Sequence, residues 1–202
     1  MLKTEQEKAL QALMQGNARY VNMRLHHPNQ TSSRRQRLVD GQNPIAVVVG
    51  CSDSRVPLEI VFDQGLGDLF VIRVAGNVID NMVMASIEFA VFKLDVPLLM
   101  IMGHSQCGAI QATFGDIDEL PGFLPELSER ILPSMSLDNT LTYDEQVYQA
   151  VRANARRSAK QVIRRSQIIS DALAANKLGV ASSYYDLESG QVELLTEIGF
   201  HN

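Results

Sequence analysis

Ile45-Ala46-Val47-Val48-Val49-Gly50-Cys51-Ser52-Asp53-Ser54-Arg55 is the stretch on which the fold turns. An unbroken apolar run of this length reads as a strand buried on both faces, as in a parallel sheet. Directly after it come a thiol, a carboxylate and a guanidinium within five residues. The pattern recurs downstream: Leu98-Leu99-Met100-Ile101-Met102 is a second apolar run, and Gly103-His104-Ser105-Gln106-Cys107 follows it directly. Open α/β sheets bind ligands in the crevice beyond the carboxyl ends of their strands, so both clusters lie where a site is expected. Gly50 and Gly103, each just ahead of the first polar group, suit a turn there.

The chain has two cysteines, and each falls in one of these clusters. Cys51, His104 and Cys107 supply three of the four positions that zinc takes in a tetrahedron, leaving the fourth for water or for Asp53. An exchangeable fourth position marks a catalytic site. Three plainer readings compete. A disulfide is disfavoured because no signal sequence opens the chain and a reducing cytosol keeps thiols reduced. Two core cysteines would leave the local excess of His104 and Asp53 unexplained. A purely structural zinc prefers four cysteines or a Cys2His2 set at short paired spacings, and neither a CxxC nor an HxxxH pair is present.

Two thiolates and a neutral imidazole make an electron-rich centre, which pulls on a bound water less strongly than three histidines would. With three histidines that water reaches a pKa of about 7, against about 9 for aqueous zinc. A carboxylate beside the metal, as Asp53 would be, can orient the water or hydroxide. Arg55 can hold that carboxylate through a bidentate pair.

The motifs GCSDSRVP (50–57), GDLFVIRVAGN (67–77), SIEFAV (86–91) and GHSQCGA (103–109), in that order, resemble the β-class carbonic anhydrases, and Gln42 resembles the plant-like subgroup. The resemblance implies reversible hydration of carbon dioxide to bicarbonate by attack of zinc-bound hydroxide, with one zinc per subunit. It implies Cys51, His104 and Cys107 as ligands, Asp53 as an alternating fourth ligand, and Arg55 as its partner. When Arg55 holds Asp53 the site stays open to water; when the pair breaks, the carboxylate can close it. The substrate pocket implied is Gln42, Phe70, Ala75, Phe89 and Gly108. Phe89 departs from the tyrosine of plant members. Val48 stands where members with a noncatalytic bicarbonate pocket carry tryptophan, so no such pocket is expected, although Arg73 occupies the place of another of its residues. Read without the resemblance, Phe70 and Phe89 are ordinary core aromatics, Arg55 and Arg73 ordinary ion-pair formers, and Gln42 a turn residue.

The expected fold is α/β: a mostly parallel central sheet of four to five strands flanked by helices, with an N-terminal helical arm. One domain spans 1–202, divided into the arm (1–42), the zinc-binding core (43–116) and C-terminal helices and strands (117–202). Helical spacing places helices over Glu5 to Val21 and Ser32 to Val39, which find no obvious role within one subunit. In the family resembled, such helices embrace a neighbour and the active site lies at a dimer interface. A homodimer or dimer-based tetramer is the resulting expectation. Phe70 to Val74 reads as a strand and Asn81 to Leu94 as a right-handed crossover helix. Residues 115–139 read as loop or short helices, Tyr143 to Lys177 as one long or two successive helices, and Val180 to Leu187 with Gln191 to Ile198 as a terminal hairpin.

Composition fits a cytoplasmic globular enzyme. The 202 residues are 46% hydrophobic and 20% charged, with a net charge of -5 that argues against nucleic-acid binding. No apolar stretch reaches the roughly 18 residues of a membrane span. The basic stripe Arg152, Arg156, Lys160 and Arg164 reads as a solvated face or as pairing with acidic groups on a partner. No histidine offers itself as a proton shuttle: His26 and His27 lie in a polar stretch and His201 at the chain end. Two other readings on the same scaffold are a carbon disulfide or carbonyl sulfide hydrolase, which would differ in pocket access, and a noncatalytic zinc-binding bicarbonate sensor, which intact Asp53 and Arg55 weaken.

Overall fold

The computed structural model describes residues 4–135, 138 and 140–200. Strands β1 (Ala46–Gly50), β2 (Leu69–Arg73), β3 (Leu98–His104), β4 (Gly179–Tyr185) and β5 (Val192–Ile198) form one sheet in the order β2-β1-β3-β4-β5. The first four run parallel, and β5 returns antiparallel to β4. From β1 the chain first adds β2 on one side and then crosses to add β3 on the other. The strand order therefore reverses between β1 and β3, the crevice that an open α/β sheet offers to a ligand.

The apolar runs do what their alternation demands. Val47 and Val49 of β1, with Leu99 and Ile101 of β3, face the crossover helix α4 (Asn81–Leu94) and the C-terminal helices α7 (Tyr143–Arg165) and α8 (Gln167–Ala174). Ala46 and Val48, with Leu98, Met100 and Met102, face helix α1 (Glu5–Val21) and the short α3 (Leu58–Val61). Every residue of β1, β3 and β4 is buried, as a sheet covered on both faces requires. A third apolar cluster, including Val78, Ile110, Ile131, Val147 and Val151, surrounds Cys51 and Cys107. Helices α5 (Gly108–Ala112) and α6 (Leu124–Ile131) complete that end.

The N-terminal helices divide in their behaviour. α1 is started by a capping box, the Thr4 hydroxyl accepting from Glu7 N–H and the Glu7 carboxylate from Thr4 N–H. It then packs on its own sheet, burying Ala9, Leu10 and Leu13. The buried Asn17 amide donates to the carbonyls of Val61 and Gly190 and accepts from Val192 N–H, tying α1 to both α3 and β5. So α1 has a role within one subunit, which its sequence did not reveal because the groups Asn17 serves lie far along the chain. The second helix, α2, spans Ser32–Arg37, two residues shorter than the expected Ser32 to Val39, and buries nothing. Arg34 anchors it, reaching the Leu66 carbonyl and the Asp68 carboxylate.

Candidate metal centre

β1 ends at Gly50, and Cys51 comes next, on the first turn; β3 ends at His104, and Cys107 directly precedes α5. The glycines ahead of these ligands lie in the strands and have negative φ, so the expected turn is not their reason. They are needed for close packing. A Cβ at Gly50 would stand 3.1 Å from the Leu58 side chain, and one at Gly103 would stand 2.8 Å from Val151 Cγ1.

Cys51, His104 and Cys107 are all buried, and one donor atom from each lies within 4.8 Å of the others. The two Sγ atoms are 3.9 Å apart. This is far beyond a disulfide and close to the edge of about 3.8 Å that a tetrahedron with Zn–S of about 2.3 Å would have. His104 is completely buried; its Nδ1 lies 2.8 Å from the Ser105 carbonyl, so the neutral ring donates there. The opposite nitrogen, Nε2, is then a bare lone pair, buried and without a hydrogen-bond partner among the described residues. A buried acceptor left unmet costs about 1–3 kcal/mol, and a metal ion among the three donors would meet it. The residues fit zinc in number, chemistry and spacing.

The sulfurs are primed to bind metal. A hydrogen bond from Cys107 pushes the Cys51 thiol well below its ordinary value, while its bond to Cys51 together with burial pushes Cys107 up. Metal binding takes both sulfurs as thiolates, so a cation bound here would displace the proton they share.

Asp53 lies beside this cluster, its Oδ2 3.9 Å from His104 Nε2. Arg55 holds both carboxylate oxygens: Nε donates to Oδ1 at 2.9 Å and Nη2 to Oδ2 at 2.7 Å, with its main-chain N–H adding a third bond. That pair holds the Asp53 carboxyl far below the usual carboxylate range, against the opposing effect of burial. Nη2 also reaches the Gln106 carbonyl, bridging the two ligand clusters.

Several supporting groups were not legible as such in the sequence. Arg73 donates to the carbonyls of Cys51 and Asp53, fixing the loop between ligand and carboxylate. The 3-10 turn Ala75–Asn77 brings Gly76 N–H to 3.3 Å from Cys51 Sγ. The Ser105 hydroxyl accepts from Leu187 N–H, and Ser105 N–H donates to the Tyr185 carbonyl, pinning the His104 loop to the end of β4.

The substrate residues implied by resemblance are not all brought together. Ala75 and Gly108 adjoin the metal cluster, one beside Gly76 and the other directly after Cys107. Phe70 instead pairs in register with Val47, four residues back from Cys51 and so roughly 13 Å along the strand. Phe89 packs near it with ring centres 6.2 Å apart, yet is half exposed rather than core. Gln42 is exposed before β1, at the opposite end of the sheet, in a hollow shared with Arg34 and Arg37. A cavity of about 940 Å³ also opens at that end, between α1 and the turns after α4 and α8. Volume alone does not mark the chemistry here. His26 and His27 lend their main-chain N–H groups to Asp63, and His201 lies outside the described residues.

Comparison with known proteins agrees with this geometry. The family model described as carbonic anhydrase matches residues 46–192. A carbonic anhydrase of Mycolicibacterium smegmatis is 45% identical over 95% of this chain and 94% of its own. Carbonic anhydrase 2 of Mycobacterium tuberculosis is 41% identical over 98% and 97%. Among solved structures, a tetrameric β-carbonic anhydrase of Sordaria macrospora superposes with a TM-score of 0.76 at 26% identity, covering 95% of this chain and 99% of its own. The β-carbonic anhydrase CafA of Aspergillus fumigatus does so with a TM-score of 0.71 at 31% identity, covering 83% and 82%.

Proposed function

Because the chain belongs to the carbonic anhydrase family, as a β-class member, we propose that it hydrates carbon dioxide reversibly at a zinc ion held by Cys51, His104 and Cys107. The observation that carries this reading is the convergence of these three donors beside a carboxylate that Arg55 grips by both oxygens. Zinc bound there would supply the nucleophile by drawing the pKa of a water molecule toward neutrality.

The protein's own part is to hold, orient and exclude. Asp53, kept ionised by Arg55, accepts a hydrogen bond from the attacking oxygen and aims it. A carboxylate so firmly ionised is a poor store for the proton released, which passes to solvent or buffer. Arg55, gripping both oxygens, would also keep Asp53 from turning onto a metal held by the three donors, which would leave room there for water. Ala75 and Gly108 would line the near wall; Gly108 carries no side chain and a Cβ there would meet nothing within 4 Å.

Gln42, Phe70 and Phe89 can serve only if a second copy of the chain supplies them. The surface around them supports that. β2 is an edge strand with half-buried Phe70, Val71 and Ile72, and α4 beside it exposes Met82, Phe89 and Phe92. An unpaired apolar edge next to exposed aromatics is a surface that a folded protein covers. We therefore read the working form as a homodimer or a tetramer built from dimers, in which one subunit's Gln42 amide and aromatic wall face its neighbour's metal centre. Two free thiols that must both stay unoxidised to bind metal favour a reducing compartment, the cytoplasm. No helix among the described residues is long and apolar enough to cross a membrane.

Stopped-flow hydration of carbon dioxide, from pH 6.5 to 9, with zinc determined on the same sample, tests the reading. Fast hydration with about one zinc per subunit is expected. Zinc without hydration at any pH would refute it and turn attention to linear sulfur-containing substrates or to a sensor role.

A further inference from the structure

Asn154 lies on α7, where the helix face is otherwise filled by Val147, Ala150, Val151, Ala155 and Ala159, and it is 1% exposed. An uncharged amide in that position is costly unless fully paired. Both of its polar atoms are used. Nδ2 donates to the Gly76 carbonyl at 2.8 Å, and Oδ1 accepts from the Ser134 hydroxyl at 3.2 Å. The amide has only one workable orientation, because a carbonyl cannot donate and the flipped form would set two acceptors face to face.

Gly76 is the residue whose N–H points at Cys51 Sγ. Its backbone is left-handed, φ 62° and ψ 18°, and a Cβ there would meet Ile131 Cδ1 at 2.9 Å and Ala109 Cβ at 3.2 Å. Its conformation is thus clamped on one side by Ile131 and Ala109 and on its carbonyl by Asn154. We propose that Asn154 is a positioning residue for the metal centre, holding the Gly76 turn so that its N–H stays on the Cys51 sulfur.

This role rests on the zinc reading above. The chemical consequence is specific. A hydrogen bond to a sulfur ligand withdraws electron density that would otherwise go to a bound metal. In a centre made electron-rich by two thiolates, that withdrawal moves the metal in the direction hydration requires.

The test is Asn154→Ala, read by zinc affinity in a chelator competition and by the sulfur-to-cobalt charge-transfer band of the cobalt(II)-loaded protein. Zinc affinity is expected to fall by roughly 10- to 100-fold, and the band to move to longer wavelength as the sulfur regains electron density. An unmoved band would overturn the proposal and reduce Asn154 to a packing amide, even if affinity or the urea midpoint falls. If Asn154→Ala does not fold, Ser134→Ala, which frees the amide without opening a cavity against Gly76, carries the same reading: a smaller shift in the same direction supports the proposal, and none overturns it. Wild-type protein that takes up neither zinc nor cobalt would bring down the zinc reading itself, and the role of Asn154 with it, before any variant is compared.

Discussion

Arg55 touches the metal cluster only through Asp53 and the Gln106 carbonyl, so its loss should separate metal binding from turnover. Arg55→Ala is expected to retain zinc while hydration falls roughly 10- to 100-fold, the usual cost of removing a group that orients a ligand or its neighbour. Zinc analysis and stopped-flow rates on one preparation check this, and full turnover would refute the assigned role. Gly76 makes a different demand. Gly76→Ala puts a side chain into left-handed backbone and against Ile131, which should cost about 1–3 kcal/mol in urea unfolding. At this scale the sequence was most informative about the candidate ligands Cys51, His104 and Cys107, which the fold brings together, because thiols, an imidazole and a carboxylate directly after apolar strands have few other uses. It was silent on Asn154, and it offered Arg73 as an ion-pair former or a relic of a bicarbonate pocket rather than as the support of the Cys51–Asp53 loop. Both spend their donors on main-chain carbonyls, which carry no sequence signal; the one trace of Asn154 was a polar residue in the apolar phase of α7.

Elements were legible where their stop signals are local. α4 matches its expected bounds, with Asp80 capping its first turn and Asp95 ending it in left-handed backbone. The break between α7 and α8 was left open by sequence because the helical periodicity runs on through it; Ser166, which ends one helix and caps the next, makes it. Arg152 of the basic stripe turns out to serve its own chain, paired with Glu193 of β5 and stacked on Tyr148 and Tyr184. Asp63, just beyond α3, is a joint between elements. Its side chain is 1% exposed and pairs with Arg19 of α1 at 2.6 Å. Burial alone would push its pKa up; the His26 N–H, Arg19 and the His27 N–H outweigh that and hold it below the usual carboxylate range. A group depressed in this way stabilises the fold fully above its unfolded value of about 3.9, and the benefit drains away as pH falls through the lower folded value. Asp63→Asn should therefore cost about 1.5–3 kcal/mol near pH 7, with the gap to wild type closing below about pH 4. Urea denaturation across that range checks it, and a gap independent of pH would refute the ion-pair account.

For the molecule as a whole, the proposed substrate role of Gln42, Phe70 and Phe89, which lie away from Cys51 in one copy of the chain, requires assembly, and that requirement can be tested. Phe92→Glu, on the exposed face of α4, should shift the protein to monomer in light scattering and lower hydration at least tenfold, while leaving zinc bound. A complementation experiment is sharper. Chains carrying Gln42→Ala and chains carrying Asp53→Ala should each be weak alone, and unfolding and refolding them together should restore activity through mixed dimers that hold one intact site. No recovery would place Gln42 outside the site. The order of donors along the chain has its own consequence in time. Cys51, directly after β1, and His104, at the end of the neighbouring β3, are separated by about fifty residues of sequence. At synthesis rates of about 5–20 residues per second, Cys51 leaves the ribosome roughly 3 to 10 s ahead of the partners it needs. During that interval the nascent protein carries a solitary thiol with no metal pocket around it, and its safe passage depends on the redox state of the surroundings in which it is made.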